Sequence, residues 1–534
     1  MRLVALCAAL AAIAAGAATP ALAYDERPMR LPATGPGAAA ASSQPSTWLV
    51  AAEPAASRQA AAIARRFGAR KLRVGAVYRV ATVRAPAFAA ALRRVAALRY
   101  AEPNAPLLRT SALDAAPVGY ARGLVVDPSL TPPAPAAVSI GVVDDIVDIT
   151  HPDLAANTRQ INPGPVLGPH GTMVASAAAA AFNGAGVVGI FPSAPVLSVG
   201  LPVTITCADA ANGILAAAGA GAKIINLSFG SPNDCATLFG SVQVAYARGS
   251  LVVAAAGNEF AAGNPVIYPA AYPHVLSVAA LDPSLQPSGF SSENTSVDVA
   301  APGVNVPLAI PNAFDVGDGA VDGMTLGSGT SFAAPMVSGA AAWLATVRAD
   351  LSNGQLADVL RRSARDVSAT GYDPATGYGL IQMAAALAAP TPARDVLEPN
   401  DGISFVNGSV FAKPDPYVWK GLNKRMLDGS ADRVEDPVDV YRIRLPKRSK
   451  ARIRLRPSFG NPDLYVFGSS ARSTSDSSKI ITRSKHATKQ TDSVKLTNRG
   501  RSARSFYVAI AIGSDAAGAL NATYQLQFQR IKLR

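Results

Sequence analysis

Apolar and polar positions change rhythm twice along the 534-residue chain. From Ser46 to about Pro106, the alternating runs "STWLVAA" and "VYRVATVRA" are separated by "ASRQAAAIARRFGA" and "FAAALRRVAAL", whose apolar residues return every three or four positions. With "RYAEPNAP" at its end, this stretch predicts strand, helix, strand, helix, strand, a small α+β unit. From about residue 138 the apolar runs become nearly continuous. "AAVSIGVVDD", "AKIINLSFGS" and "GSLVVAAAGNE" each end in small polar residues, with alanine-rich helical stretches between them. That pattern predicts an α/β domain with a doubly wound, mainly parallel sheet, whose function sits at the carboxyl ends of its strands. After residue 395 strict alternation returns in "DPVDVYRIRLP", "RIRLRPS", "PDLYVFGS", "RSFYVAIAIG" and "ATYQLQFQ", as expected of strands with one buried face. Residues 469–505, rich in Ser, Thr, Lys and Arg, are expected to form a mobile loop.

Punctuation divides these textures. Arg2, the apolar "LVALCAALAAIAAGAA" and "ALA" before Tyr24 form the succession of a secretory leader, so the mature chain is expected outside the cell. The later apolar stretches are too interrupted to suggest a membrane span. The Pro-rich "DPSLTPPAPAA" and "AAPTPARDVLEPND" read as connections. The expected units are therefore 1–23, 24–112, 113–390 and 395–534.

Charge follows the same divisions. Residues 1–115 carry 15 basic and 5 acidic side chains, residues 116–394 carry 9 and 18, and residues 395–534 carry 25 and 13. A basic first unit and an acidic second would attract one another before any specific contact forms. The basic third unit contains no RNP, zinc-finger or helix-turn-helix pattern, so anionic cell-surface or matrix material is its expected partner rather than nucleic acid. Outside the leader only Cys207 and Cys235 remain, which leaves one disulfide open as an option and offers no CxxC metal pattern.

Three polar residues stand out in the middle unit. Asp144 ends the first buried run, His170 adjoins Gly171 in "GPHGTMVASAAAAA", and Ser331 heads "GSGTSFAAPMVSGAAA". A hydroxyl in that place reads either as a helix N-cap or as a nucleophile. Acyl transfer to a serine needs an imidazole to take its proton and a carboxylate to hold that imidazole, roles open to His170 and Asp144. The Asn258 amide, with the Ser331 N–H, could stabilise an oxyanion. The plainer readings are a core histidine and a turn asparagine.

Taken together, the motifs "VVDDIVDITHPDL", "HGTMVA", "INLSFGS", "AAAGNE" and "GTSFAAPMVSGAAA" resemble those of subtilisin-like serine proteases, in the family's order. "FSSENTSVDVAAPG" and "TGYGLIQMAAAL" extend the likeness over about residues 120 to 388. The resemblance implies a secreted endopeptidase with Asp144, His170 and Ser331 as its triad and Asn258 in its oxyanion hole, and it gives Thr330 no task. It also implies that residues 24–112 are an inhibitory propeptide removed by self-cleavage, and that protein or peptide substrates bind along Ser228, Phe229 and Gly230 and against Ala255, Ala256 and Gly257. Ile267 stands where the family has a small residue at the base of the primary pocket, which implies a preference for small side chains. Pro335 is expected in the first turn of the serine's helix, where a missing N–H costs nothing. "DDI" departs from the family's usual turn, but aligning "THPDL" selects Asp144 over Asp145. Catalysis of this kind needs no cofactor. Asp153 and Asn183 are expected as exposed loop residues rather than ligands of a structural calcium. The last unit resembles the pre-peptidase C-terminal domain of secreted bacterial hydrolases, which implies a small β-sandwich domain. A catalytically silent binding protein on the same scaffold is the alternative; a lipase is disfavoured because Ser331 is not in a GxSxG elbow.

Overall fold

The computed structural model describes residues 46–532 apart from residues 105, 110–111, 114–119, 135–137, 193, 317–319, 393–394, 396, 412, 433–435, 487–489 and 513–520. The expected leader, residues 1–23, lies outside the described residues. Two compact units are present, Met29–Arg394 and Asp395–Arg534.

The first unit begins with the predicted alternation: β1 (Thr47–Ala52), α1 (Ser57–Arg66), β2 (Arg70–Lys71), β3 (Val77–Ala81), α2 (Ala85–Arg94) and β4 (Leu98–Pro103). These strands form an antiparallel sheet in the order β2-β3-β1-β4. One face buries Trp48, Val50, Tyr78 and Val80 with Phe88 and Leu92 of α2. The other face is covered as well: Leu49, Ala51 and Val77 share a core with Cys207, Ala211, Leu238 and Val242. Burial on both sides explains why β1 reads apolar almost throughout.

Past β5 (Pro106–Arg109), β6 (Ala112–Leu113) and α3 (Tyr120–Val125), the chain builds an α/β domain. Its elements are β7 (Ile140–Asp144), β8 (Thr158–Gln160), α4 (His170–Ala179), β9 (Val196–Gly200), β10 (Ile205–Thr206), α5 (Cys207–Gly219), β11 (Ile224–Leu227), β12 (Phe229–Gly230), α6 (Ala236–Ala247) and β13 (Leu251–Ala255). There follow β14 (Val275–Leu281), β15 (Val299–Pro302), β16 (Val306–Ala309), β17 (Met324–Ser328) and α7 (Thr330–Val347). Seven strands make one sheet in the order β15-β14-β13-β11-β7-β9-β8, with every neighbouring pair parallel. The chain visits β9 on one side of β7 and then β11 on the other, so the order turns about β7 and the end of that strand lies at the switch point.

Two helices made largely of small residues fill one face of this sheet. All ten residues of α4 are buried, as are Thr330 to Ala345 of α7. Alanine allows that density, and where the helices meet even a methyl is too much: a Cβ on Gly339 would lie 2.6 Å from the carbonyl oxygen of Ala178. On the opposite face Cys207 and Cys235 are joined as a disulfide, tying the first residue of α5 to the N-cap of α6. A bridge across 28 residues stabilises by about 3 to 4 kcal/mol in the chain-entropy account.

The second unit is a sandwich of two four-stranded antiparallel sheets built from β18 (Arg425–Asp432), β19 (Val438–Leu445), β20 (Ser449–Phe459), β21 (Pro462–Gly468), β22 (Ile480–Ser484), β23 (Asp492–Asn498), β24 (Arg504–Ile512) and β25 (Asn521–Ile531). The sheet orders are β18-β25-β20-β23 and β19-β24-β21-β22, around Trp419, Ile443, Ile453, Val466, Phe506 and Phe528. The mobile loop expected over residues 469–505 is a misreading, because β22 and β23 lie within that stretch. In β23 only Val494 and Leu496 supply apolar inward positions, and Ser493 and Lys495 face outward, so the stretch reads as polar although it alternates.

Candidate active site

The end of β7 delivers Asp144, wholly buried, and its Oδ1 accepts the backbone N–H of Asp145 at 2.7 Å. The turn that follows is pinned from two sides: Val147 N–H donates to Ser198 Oγ at 3.0 Å and Asp148 N–H to Thr172 Oγ1 at 2.9 Å. Isoleucine at 146 is accommodated against Gly200 of β9, where a Cβ would lie 2.8 Å from its Cδ1. Asp145 turns its backbone toward α4. A Cβ on Gly171 would stand 2.0 Å from the Asp145 carbonyl oxygen, so glycine is required beside the histidine.

His170 is the first residue of α4, and its Nδ1 lies 2.8 Å from Asp144 Oδ1. With Nδ1–H donated to the carboxylate, Nε2 carries the lone pair. That atom is buried and has no hydrogen-bond partner. The Phe332 ring centroid is 5.7 Å from the imidazole, which brings the head of α7 beside the histidine.

Ser331, the second residue of α7, rests with Oγ donating to the Ser228 carbonyl at 3.1 Å. Pro335 is not in the first turn, as expected, but four residues after Ser331, where its missing N–H would have met the Ser331 carbonyl. The Ser228 hydroxyl donates to that carbonyl instead, at 2.7 Å. Behind it, Asn226 Nδ2 donates to Ser228 Oγ at 2.9 Å and Ser338 Oγ to Asn226 Oδ1 at 2.9 Å, all buried. The proline thus frees an acceptor that locks the helix of Ser331 to the strand-like segment beside it.

Asn258 follows Gly257 just beyond β13. Its Oδ1 accepts both the N–H of Thr330 at 2.9 Å and the Thr330 hydroxyl at 2.7 Å. Those donors assign the oxygen, so Nδ2 is the donor end of the amide. Thr330, left without a task by the sequence, therefore orients this side chain, and its hydroxyl also accepts the Gly257 N–H at 3.2 Å. The two residues are 72 positions apart, which no local pattern reveals.

Ala255 and Ala256 are buried at the end of β13, and Ile267 is 2% exposed. A Cβ on Gly230 would meet Ile267 Cγ2 at 2.3 Å, and one on Gly257 would meet its Cγ1 at 2.6 Å. The isoleucine is therefore wedged between the two glycine-bearing segments. Asp153, expected in an exposed loop, is 1% exposed; its carboxylate accepts Asn183 Nδ2 at 2.9 Å and the Val187 N–H at 2.9 Å, whereas Asn183 itself is exposed.

The cleft contains part of the chain itself. β5 is the middle of a three-stranded antiparallel sheet, β10-β5-β12, with Leu108 opposite Gly230 and Arg109 opposite Phe229. On the far side Leu107 pairs with Ile205 and Pro106 with Thr206. Beyond residues 110–111, Ala112 pairs with Ser328 and Leu113 with Gly327, just ahead of Ser331. Upstream, Glu102 accepts the N–H groups of Ala236 at 2.6 Å and Thr237 at 2.9 Å, satisfying donors at the start of α6. Asn104 Oδ1 accepts the Ala208 N–H at the start of α5, at 2.9 Å. Arg79 and Asp209 form a half-exposed ion pair at 3.8 Å, so the opposed net charges make direct contact there as well.

Comparison with known proteins extends this description. Residues 136–379 match the Subtilase family. The chain is 35% identical over 281 residues to Subtilisin Savinase of Lederbergia lenta, covering 51% of this chain and 95% of that protein. Subtilisin amylosacchariticus of Bacillus subtilis subsp. amylosacchariticus is 35% identical over 264 residues, and the chain spans 65% of its length. The crystal structure of fervidolysin from Fervidobacterium pennivorans, described as a keratinolytic enzyme related to subtilisin, shares the fold at a TM-score of 0.57 and 20% identity, over 85% of both chains.

Proposed function

Because the chain belongs to the subtilase family, we propose that it is a secreted serine endopeptidase that acts through Asp144, His170 and Ser331 and is restrained by its own N-terminal segment, lying within residues 24–112, until that segment is cut away. The observation that carries this reading is the 2.8 Å contact from Asp144 to His170 Nδ1, with a buried, unpartnered Nε2 beside the helix that Ser331 heads. Ser331 Oγ swings from the Ser228 carbonyl to Nε2, gives up its proton and attacks the scissile carbonyl. Asp144 stabilises the imidazolium that results. Asn258 Nδ2 and the first-turn N–H of Ser331 receive the oxyanion. His170 then passes the proton to the leaving amine, and water repeats the sequence on the acyl-enzyme. No step needs a metal. The test is labelling of the purified, matured protein with a fluorophosphonate: a stoichiometric adduct on Ser331 is expected. A folded sample that stays unlabelled would instead support the silent binding protein that "DDI" left open.

The strand pairing supports one position for the proposed self-cleavage. Residues paired with the substrate segment end at Arg109, and residues paired ahead of the nucleophile begin at Ala112. Of the peptide bonds between them, the central one joins Thr110 to Ser111. N-terminal sequencing of the mature protein is expected to start at Ser111. A start upstream of Arg109 or downstream of Leu113 contradicts this register.

Glu102 supports restraint at a distance from the chemistry. Replacing it with Ala strips a charged acceptor from the start of α6, worth about 1.5 to 3 kcal/mol. Added to mature enzyme, a segment covering residues 24–110 with this change should inhibit roughly tenfold to a hundredfold less well than the unaltered segment. Equal inhibition constants would show that the cap contributes nothing to docking.

A further inference from the structure

One face of the sheet β18-β25-β20-β23 carries a row of cations. Along β20, Ala451, Ile453 and Leu455 are buried while Arg452, Arg454 and Arg456 between and beyond them face outward. Arg452 stands directly opposite Lys495 of β23, and Arg454 opposite Ser493. On the other flank their partners are uncharged: Gln529, Gln527 and Gln525 of β25. Among the described residues, Asp492 of β23 is turned inward and buried, and Asp428 of β18 accepts the Gln525 amide at 3.1 Å. Arg452, Arg454, Arg456, Thr491, Ser493 and Lys495 line an open groove.

Folding alone does not call for this arrangement. Like charges directly opposite on a sheet destabilise it, and an acidic residue at position 493 or on β25 would relieve them. Guanidinium groups present a rigid planar fork suited to oxyanions. Alternate residues of a strand are about 6.4 to 6.8 Å apart, so the three arginines form a straight row about 13 Å long. A row of that kind fits an extended polymer with repeated anionic groups.

We propose that this groove binds a linear sulfated polysaccharide, laid along β20 with its sulfates on Arg452, Arg454, Arg456 and Lys495. Single-stranded nucleic acid is less well served, because the groove lining offers no aromatic ring for bases to stack on. The lining also lacks an apolar side chain to enter a bilayer. The site lies within residues 395–534 and stands apart from the peptidase reading.

The test is titration of the full-length protein with dextran sulfate, beside uncharged dextran, oligothymidylate and phosphatidylserine-containing vesicles. Dextran sulfate is expected to bind most tightly. If four cations each displace a counterion, its affinity should fall about a hundredfold between 50 and 200 mM salt. The triple variant Arg452→Gln, Arg454→Gln, Arg456→Gln should bind at least about tenfold more weakly, with a salt dependence reduced to about fourfold over the same range. Its melting temperature should not fall, and its peptide hydrolysis should match that of the unaltered chain. Dextran sulfate binding no better than dextran, an unchanged triple variant, or tighter binding of oligothymidylate or vesicles would each overturn the proposal. A chain that binds the polysaccharide without cleaving peptides would sink only the catalytic reading.

Discussion

Replacement of Ser331 by Ala is expected to leave a chain that folds, keeps its full length and hydrolyses peptides about a millionfold more slowly, the scale that loss of the corresponding serine has in subtilisin itself. In the proposed mechanism the hydroxyl is the atom that bonds to substrate, so His170 and Asp144 have nothing to activate once it is gone. The fold should survive, because the lock between α7 and the substrate segment uses the Ser331 carbonyl and the Ser228 hydroxyl, both of which remain. The oxyanion donors persist too, which leaves a residual rate above that in water. Maturation is the sharper readout. If the cut after Thr110 is the enzyme's own first act, the variant purified free of other proteases stays at precursor length on a denaturing gel. A variant that matures normally under those conditions would refute self-cleavage and leave the family assignment untouched.

Replacement of Ile267 by Gly is expected to invert a preference. In the unaltered chain the branched side chain lies against Gly230 and Gly257, and the proposed reading puts a large side chain before the scissile bond into that same space. Peptides with Ala in that position should therefore have the higher kcat/KM, and peptides with Phe the lower. Each methylene of misfit is worth about 1 to 3 kcal/mol, so clearing the isoleucine should shift the Phe-to-Ala ratio by at least about a hundredfold toward Phe. Removing a buried side chain also costs stability, about 2 to 5 kcal/mol for a change of this size, and a melting curve separates that loss from the change in preference. Should Phe already be preferred by the unaltered chain, and the ratio not move, Ile267 has no part in the pocket.

What could be read from the chain differed by the range of the interaction involved. Asp144, His170 and Ser331 stood out because Asp144 ends an apolar run, His170 precedes a glycine at the head of an alanine-rich helix and Ser331 heads another apolar run; Gly171 beneath the Asp145 carbonyl shows how crowded the histidine's surroundings are. The parallel sheet was legible for a similar reason, since strands covered on both faces lose their alternation. The task of Thr330 was not legible, because its partner lies on another loop. Nor was the role of Pro335, whose effect depends on a hydroxyl from Ser228. Asp153 was misjudged as exposed because polarity says nothing about whether a side chain folds inward onto Asn183 and Val187. In the sandwich, β23 was missed where two inward apolar residues had to compete with lysine and serine for notice.

The short sheet β10-β5-β12 has a consequence for which proteins such an enzyme can attack. If residues 106–109 depart as proposed, Ile205–Thr206 and Phe229–Gly230 stand as two bare edges with a gap of about two strand spacings, roughly 9.5 Å, between them. Only one fully extended chain fits such a slot with its backbone paired on both sides. A helix is too wide, and a strand already paired in its own sheet has no free edge to offer. In a folded target the cut must therefore wait until a segment opens and stretches out. Resistance to cleavage then follows the free energy of that local opening more closely than the residues on either side of the bond.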